Sequence, residues 1–129
     1  MDAAIDHDRF ARWLHDYVAA WRSGEPAAVE ALFTDDATYA FAPFGAPLQG
    51  RAAIVEMWLK DPDAAGSWTA DYRPLAVDGA VAVAHGRTSY RVADGAREDV
   101  EYRNIFVCEF AADGRCRSFV EWYMTVPAA

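Results

Sequence analysis

The dipeptide Asp-Gly occurs three times in the second half of this chain, at Asp78-Gly79, Asp94-Gly95 and Asp113-Gly114. Each copy separates two runs rich in Val, Tyr, Phe and Thr. Asp-Gly readily adopts the positive φ angles that two-residue hairpin turns require. Three hairpins predict four consecutive antiparallel strands, and these extend over residues 68–77, 80–92, 97–111 and 115–126.

The first half of the chain has helical periodicity instead. Apolar residues recur at i, i+3, i+4, i+7, i+8 and i+11 from Phe10 to Trp21, as in a helix with one apolar stripe. Asp6 or Asp8 is suited to cap its start, and Gly24 its end. The following elements are predicted as a short helix from Pro26 to the acidic pair 35–36, a strand over 38–41, a loop over 43–50, a third helix over 51–60 and a polar rim over 61–67.

Helices followed by an antiparallel sheet predict an α+β domain with a concave side, and 129 residues suffice for a single domain, 1–129. The net charge of -8 argues against binding to nucleic acid or to an anionic membrane. The N-terminal residues have neither the basic end nor the apolar run of a signal, so we expect a cytoplasmic protein.

The two cysteines, Cys108 and Cys116, fall on adjacent predicted strands. Strand alternation places their side chains on opposite faces of the sheet, so we expect no disulfide between them. The chain also lacks Cys/His spacing typical of zinc sites, and we expect no metal.

Several segments have the order and spacing found in one superfamily. They are residues 17–21, Gly24, residues 31–38, residues 50–54, Asp113-Gly114-Arg115 and Glu121-Trp122-Tyr123. The chain resembles the nuclear transport factor 2-like (cystatin-like) superfold and, within it, the SnoaL-like and ketosteroid isomerase-like group. The resemblance implies a cone-shaped, curved antiparallel sheet wrapped around the N-terminal helices, with a pocket between them.

The superfold hosts isomerases, cyclases, hydrolases, dehydratases and proteins without catalysis, so the resemblance leaves the reaction open. Relatives commonly form homodimers, and the expected interface is the outer sheet face that carries Trp122 and Met124. Ketosteroid isomerase combines an Asp base with an oxyanion hole made of a Tyr and a protonated Asp. Carried over, these roles fall on Phe41, Tyr17 and Asn104 respectively. Since phenylalanine cannot accept a proton, steroid isomerisation by that route is excluded.

A pocket-facing Asn104 fixes which residues of its strand share that face. With the family pattern for the neighbouring strands, the residues predicted to point inward are Tyr102, Phe106, Cys108 and Phe110, then Val83, His85, Arg87 and Ser89, then Phe119, Glu121, Tyr123 and Thr125. The ionisable side chains of His85, Arg87 and Glu121 would thus converge in an apolar interior. Because buried charges must be paired, we predict a contact from Glu121 to either Arg87 or His85.

Two functions fit this interpretation. In the first, the chain acts on a small, largely apolar, cyclic or aromatic molecule by cofactor-independent acid-base chemistry, with Tyr17, His85, Asn104 and Glu121 as catalytic residues. The expected substrate-binding residues are Trp13, Tyr39, Phe41, Trp58, Arg87, Tyr102, Phe106, Phe119 and Tyr123. In the second, the chain is a non-catalytic binding or interaction module, with Arg87 and Glu121 as a structural pair.

Overall fold

Three helices and one six-stranded sheet make up residues 4–60, 68–90 and 100–127, which this computed structural model describes. The elements are α1 (His7–Ser23), α2 (Pro26–Glu30), β1 (Phe33–Ala40), β2 (Leu48–Gln49), α3 (Arg51–Lys60), β3 (Trp68–Asp78), β4 (Val81–Tyr90), β5 (Val100–Phe110) and β6 (Cys116–Thr125). The strand order is β2-β1-β6-β5-β4-β3. The α+β cone fold is confirmed. The sheet has one strand more than the five expected, which were the short strand over 38–41 and the four long ones.

Helix α1 is formed as its periodicity predicts. Asp6 caps it, because its side chain accepts a hydrogen bond from the Arg9 backbone N–H at 2.8 Å. Gly24 ends it in the left-handed conformation at φ 66°. The apolar stripe lies against the concave face of the sheet and is buried: Phe10, Trp13, Leu14, Tyr17 and Ala20. Within the described residues, no helix has the length and apolarity needed to cross a membrane.

The four long strands form the antiparallel meander that the Asp-Gly repeats predict. The first turn brings Asp78 opposite Val81, and the third connects β5 to β6. The second, at Asp94-Gly95, lies outside the described residues. Strand β1 pairs with β6 in parallel, so the sheet is mixed rather than purely antiparallel.

The segment between α2 and α3 differs from the sequence prediction. Helix α2 ends at Glu30, and the acidic pair Asp35-Asp36 lies exposed within β1 rather than closing a helix. The register between β1 and β6 shifts between Phe33 and Thr38, and the acidic pair lies within this irregular stretch of the strand. The predicted 43–50 loop also contains a short strand, in which Leu48 pairs with Tyr39.

The expected placement of the cysteines on opposite faces is wrong. Both Cys108 and Cys116 are free thiols buried in the core, and they interact with each other. The cause is a register shift: Phe110 pairs with Cys116, but Glu109 pairs with Ser118, which leaves one extra residue on β6. One extra residue reverses the alternation and turns Cys116 inward.

Candidate functional site

Strand β4 faces opposite to the prediction. Gly86 lies directly opposite Asn104, and directly opposed residues of antiparallel strands share a face. The even-numbered residues of β4 therefore point inward. His85 and Arg87 are exposed on the outer face, so their predicted inward positions and their predicted contact with Glu121 are wrong.

A cavity of about 550 Å³ lies between the sheet, α1 and α3, and we call it the inner cavity. Its lining includes eight residues that the sequence had singled out: Tyr17, Tyr39, Phe41, Trp58, Tyr102, Asn104, Glu121 and Tyr123. Three other expected binding residues, Trp13, Phe106 and Phe119, are buried in the core outside this lining. Trp13 uses its indole N–H there, donating to the carbonyl oxygen of Leu32 at 3.1 Å.

A series of hydrogen bonds joins four strands, β3 to β6, in the wall of the inner cavity. The Thr88 hydroxyl donates to Asn104 Oδ1 at 3.0 Å, and Asn104 Nδ2 donates to Glu121 Oε2 at 2.7 Å. The Tyr72 hydroxyl lies 2.5 Å from Thr88 Oγ1. Because Thr88 has one hydroxyl proton and gives it to Asn104, Tyr72 must be the donor in that contact. The donors Tyr72, Thr88 and Asn104 thus all direct their protons along this series towards the Glu121 carboxylate.

Gly86 makes room for the first member of this series. Tyr72 lies directly opposite it, and a Cβ at position 86 would lie 2.6 Å from Tyr72 Cδ1 and would collide with the Asp71 carbonyl oxygen. Only glycine lets the two backbones approach this closely. The Tyr72 ring can therefore lie over β4, with its hydroxyl in reach of Thr88.

The environment of Glu121 favours its protonated form. Burial raises the pKa of this carboxyl above its ordinary value, and the hydrogen bond from Asn104 lowers it in part. Asn104 is itself only 5% exposed. A carboxylate has room for several hydrogen bonds, so one accepted from Asn104 leaves it able to take a proton.

Two phenols form a second polar group in the inner cavity. The hydroxyls of Tyr17 and Tyr39 lie 2.9 Å apart, and Trp58 hydrogen-bonds to Tyr39. An indole N–H can only donate, so the Tyr39 oxygen accepts from Trp58. The two hydroxyls have two protons and use one between them, which leaves one to donate to a ligand.

Burial is the main cause that raises the pKa of Tyr17 and of Tyr39 far above the ordinary tyrosine value, and the nearby charge of Glu121 adds to both shifts. Both phenols therefore remain protonated donors at neutral pH. A proton acceptor and a hydrogen-bond donor pair thus lie close together in one cavity.

Five lining residues were not predicted from the sequence: Trp21, Met57, Tyr72, Thr88 and Tyr90. The inward facing of Thr88 and Tyr90 on β4 follows from the register of β4 with β5. That of Tyr72 on β3 follows from its position opposite Gly86. The run of small residues at positions 82, 84 and 86 was the available signal, because small side chains fit beneath a helix that packs on the sheet. In the described residues, no three His, Cys, Asp or Glu side chains are grouped as a metal site would require.

The model of the SnoaL-like domain matches residues 14–119. The chain is a SnoaL-like protein. No curated protein matches this SnoaL-like sequence significantly.

Solved structures similar to this SnoaL-like protein confirm the fold. SalBIII, an epoxide hydrolase/cyclase-like enzyme in pyran ring formation in the polyether salinomycin, is 19% identical with a TM-score of 0.69 over 91% of each chain. An LEH-like epoxide hydrolase from M. tuberculosis is 16% identical with a TM-score of 0.67, over 92% of this chain and 84% of that one. An NTF-2 like protein of unknown function from Burkholderia xenovorans is 16% identical with a TM-score of 0.69, over 95% and 88%.

Proposed function

We propose that this SnoaL-like protein binds a small, largely apolar, cyclic or aromatic molecule in the inner cavity and transfers a proton, with Glu121 as the base. One observation carries the proposal: a carboxyl group with a raised pKa lies in an aromatic cavity, where Asn104 donates to its Oε2 at 2.7 Å. A base works best when its pKa approaches the working pH, and burial moves Glu121 in that direction.

The phenol pair supplies the complementary group. A substrate carbonyl that accepts the remaining proton of the Tyr17–Tyr39 pair in a hydrogen bond has its oxygen stabilised as negative charge develops there. Glu121 then takes a proton from the adjacent carbon, which leaves an enolate, and the carboxyl group returns a proton to the same carbon, after exchange with solvent, or to another carbon of that enolate. Asn104 is a positioning residue, because it holds the carboxylate and does not itself exchange the proton.

His85 and Arg87 have no part in this reaction, since both lie on the outer face. The similarity to an epoxide hydrolase and to a hydrolase/cyclase-like enzyme supports a catalytic role over a purely binding one. Positioned general bases typically contribute rate factors of about 10²–10⁴, so loss of the carboxylate should be plainly measurable.

The test is hydrogen–deuterium exchange next to the carbonyl of 1-tetralone, a small cyclic aromatic ketone, followed by proton NMR in D₂O. We expect wild type to accelerate exchange and Glu121→Gln to lose about a hundredfold or more of that rate. Glu56→Gln is the matched control, because it removes the same charge from an exposed position on α3. Equal rates for wild type and Glu121→Gln would contradict the assignment of the base.

Thermal-shift measurements with steroid-like, polycyclic phenolic and terpenoid compounds complete the test. Stabilisation of wild type without any exchange would identify a non-catalytic binding module of the same fold. Stabilisation that survives in Asn104→Leu would show that the polar wall of the cavity does not recognise the ligand.

A further inference from the structure

The lining of the inner cavity is unusual in its charge. Nine of its thirteen described residues are aromatic, and Glu121 is the one charged residue among them. No Lys, Arg or His occurs in this described lining. A partly buried carboxylate in apolar surroundings is costly unless a positive charge neutralises it. Asn104 donates a hydrogen bond to this carboxylate but carries no charge to balance it.

The aromatic rings provide a second feature that favours a cation. Ring faces carry negative potential and attract ammonium groups, most effectively when several rings surround the charge. Tyr102 stands at 88° to Tyr90 and at 84° to Tyr123, with centroids 6.0 and 5.6 Å apart. Tyr17 and Trp58 meet at 86° with centroids 4.9 Å apart. Because the two rings of each pair are nearly perpendicular, their faces are oriented in different directions.

We propose that the ligand of the inner cavity is a lipophilic ammonium compound, that is, a ring-bearing molecule with a positively charged nitrogen that lies against Glu121 among the aromatic rings. This inference rests on the ligand pocket of the proposed function and names the class of its ligand. The net charge of -8 acts in the same direction, because it attracts cations and repels anions.

The chemistry of such a ligand is compatible with the proposed base. A positive nitrogen withdraws electrons and makes the hydrogens on the neighbouring carbon more acidic. The carboxylate that neutralises the nitrogen would also lie within reach of that carbon. The arginines at positions 73, 87 and 103 do not compete with a ligand for Glu121, since their side chains are exposed on the outer face of the sheet.

The test compares two probes of the same shape, phenyltrimethylammonium and its neutral carbon analogue tert-butylbenzene. Dissociation constants are measured by NMR titration for wild type, Glu121→Gln and the control Glu56→Gln. We expect Glu121→Gln to weaken binding of phenyltrimethylammonium by about tenfold or more and to leave tert-butylbenzene affinity within about twofold. Glu56→Gln should change neither, which excludes a general effect of net charge.

Tyr102 offers an independent variant for the ring contribution. Tyr102→Leu should weaken binding of the cation several-fold relative to the neutral probe, whereas Tyr102→Phe, which keeps the ring, should preserve it. If tert-butylbenzene binds and Glu121→Gln leaves the affinity for phenyltrimethylammonium unchanged, the cation inference is overturned while the pocket stands. If neither probe binds to wild type, the inference and the proposed ligand pocket fall together.

Discussion

Replacing Asn104 with Leu should destabilise the protein in a manner that depends on pH. The substitution keeps a side chain of similar size in a site that is only 5% exposed, but it removes the donor to Glu121 and the acceptor for Thr88. A hydrogen bond to a charged group contributes about 1.5–3 kcal/mol. Because Glu121 is partly exposed, we use the lower end of this range, and we expect the loss of the donor to raise the pKa of Glu121 further.

The sign follows from the raised pKa of Glu121. The folded protein holds this proton more tightly than the unfolded chain, so the resulting stability is present in full below the ordinary glutamate pKa and is lost as pH rises through the folded value. Because Asn104→Leu raises the pKa of Glu121 further, this variant loses more stability than wild type as the pH rises. The free energy of unfolding should therefore fall by about 1–1.5 kcal/mol more at pH 8 than at low pH, in addition to a constant cost of about 1 kcal/mol for the Thr88 bond.

Urea unfolding followed by tryptophan fluorescence across a pH series measures both the pH-dependent and the constant decrease in the free energy of unfolding. Thr88→Val is the matched control, since it breaks the neutral bonds to Asn104 and Tyr72 and keeps the bond from Asn104 to Glu121, so its cost should not vary with pH. In the double variant Asn104→Leu/Glu121→Gln, the pH-dependent part should disappear. An Asn104→Leu cost that is the same at every pH would refute the reasoning, because the amide would then contribute nothing to the charge of the carboxylate.

Three further outcomes are expected. Gly86→Ala should lower the free energy of unfolding by about 1–3 kcal/mol in urea titrations because its methyl group collides with Tyr72 and the Asp71 carbonyl, and a cost under 0.5 kcal/mol would contradict this packing. The outer sheet face should pair with a second copy of the chain, because Trp122 and Met124 are 50% and 76% exposed there. Light scattering at micromolar concentration should give a dimer, and Met124→Glu a monomer; a monomeric wild type would exclude this interface. Glu121→Gln alone should make the protein more stable than wild type at pH 8, since an uncharged amide costs less to bury, and equal urea midpoints would argue against the raised pKa.

Local patterns were sufficient to predict most of the fold. The stripe of α1 and the Asp-Gly turn at Gly79 depend on neighbours in sequence, and both form as predicted. The parallel pairing of β1 with β6 could not be predicted in the same way, because its hydrogen bonds join residues far apart in the chain. The acidic pair within β1 has low strand propensity, and it lies where the register with β6 shifts, between Phe33 and Thr38.

The facing of Asn104 was taken from the family resemblance, and the family pattern together with alternation placed Glu121 on the same face. The register of β5 with β6 gives both residues this facing, because Asn104 lies opposite Tyr123 and Phe106 opposite Glu121. His85 was misplaced because the facing of β4 depends on its register with β5, and a shift of one residue reverses a whole strand. Cys116 was misplaced for a related reason, since an extra residue on β6 is visible only in the pairing itself.

The parallel pairing of β1 with β6 also has a consequence for the synthesis of the protein. Tyr39 lies opposite Phe119, about 80 residues later in the chain, and such non-local contacts form slowly and late. During translation the phenol pair is made early, whereas the strand that carries Glu121 follows about 80 residues after β1. The nascent chain therefore exposes the β6-facing edge of β1 until β6 has been synthesised, and during that interval a chaperone or a second nascent chain can bind to it.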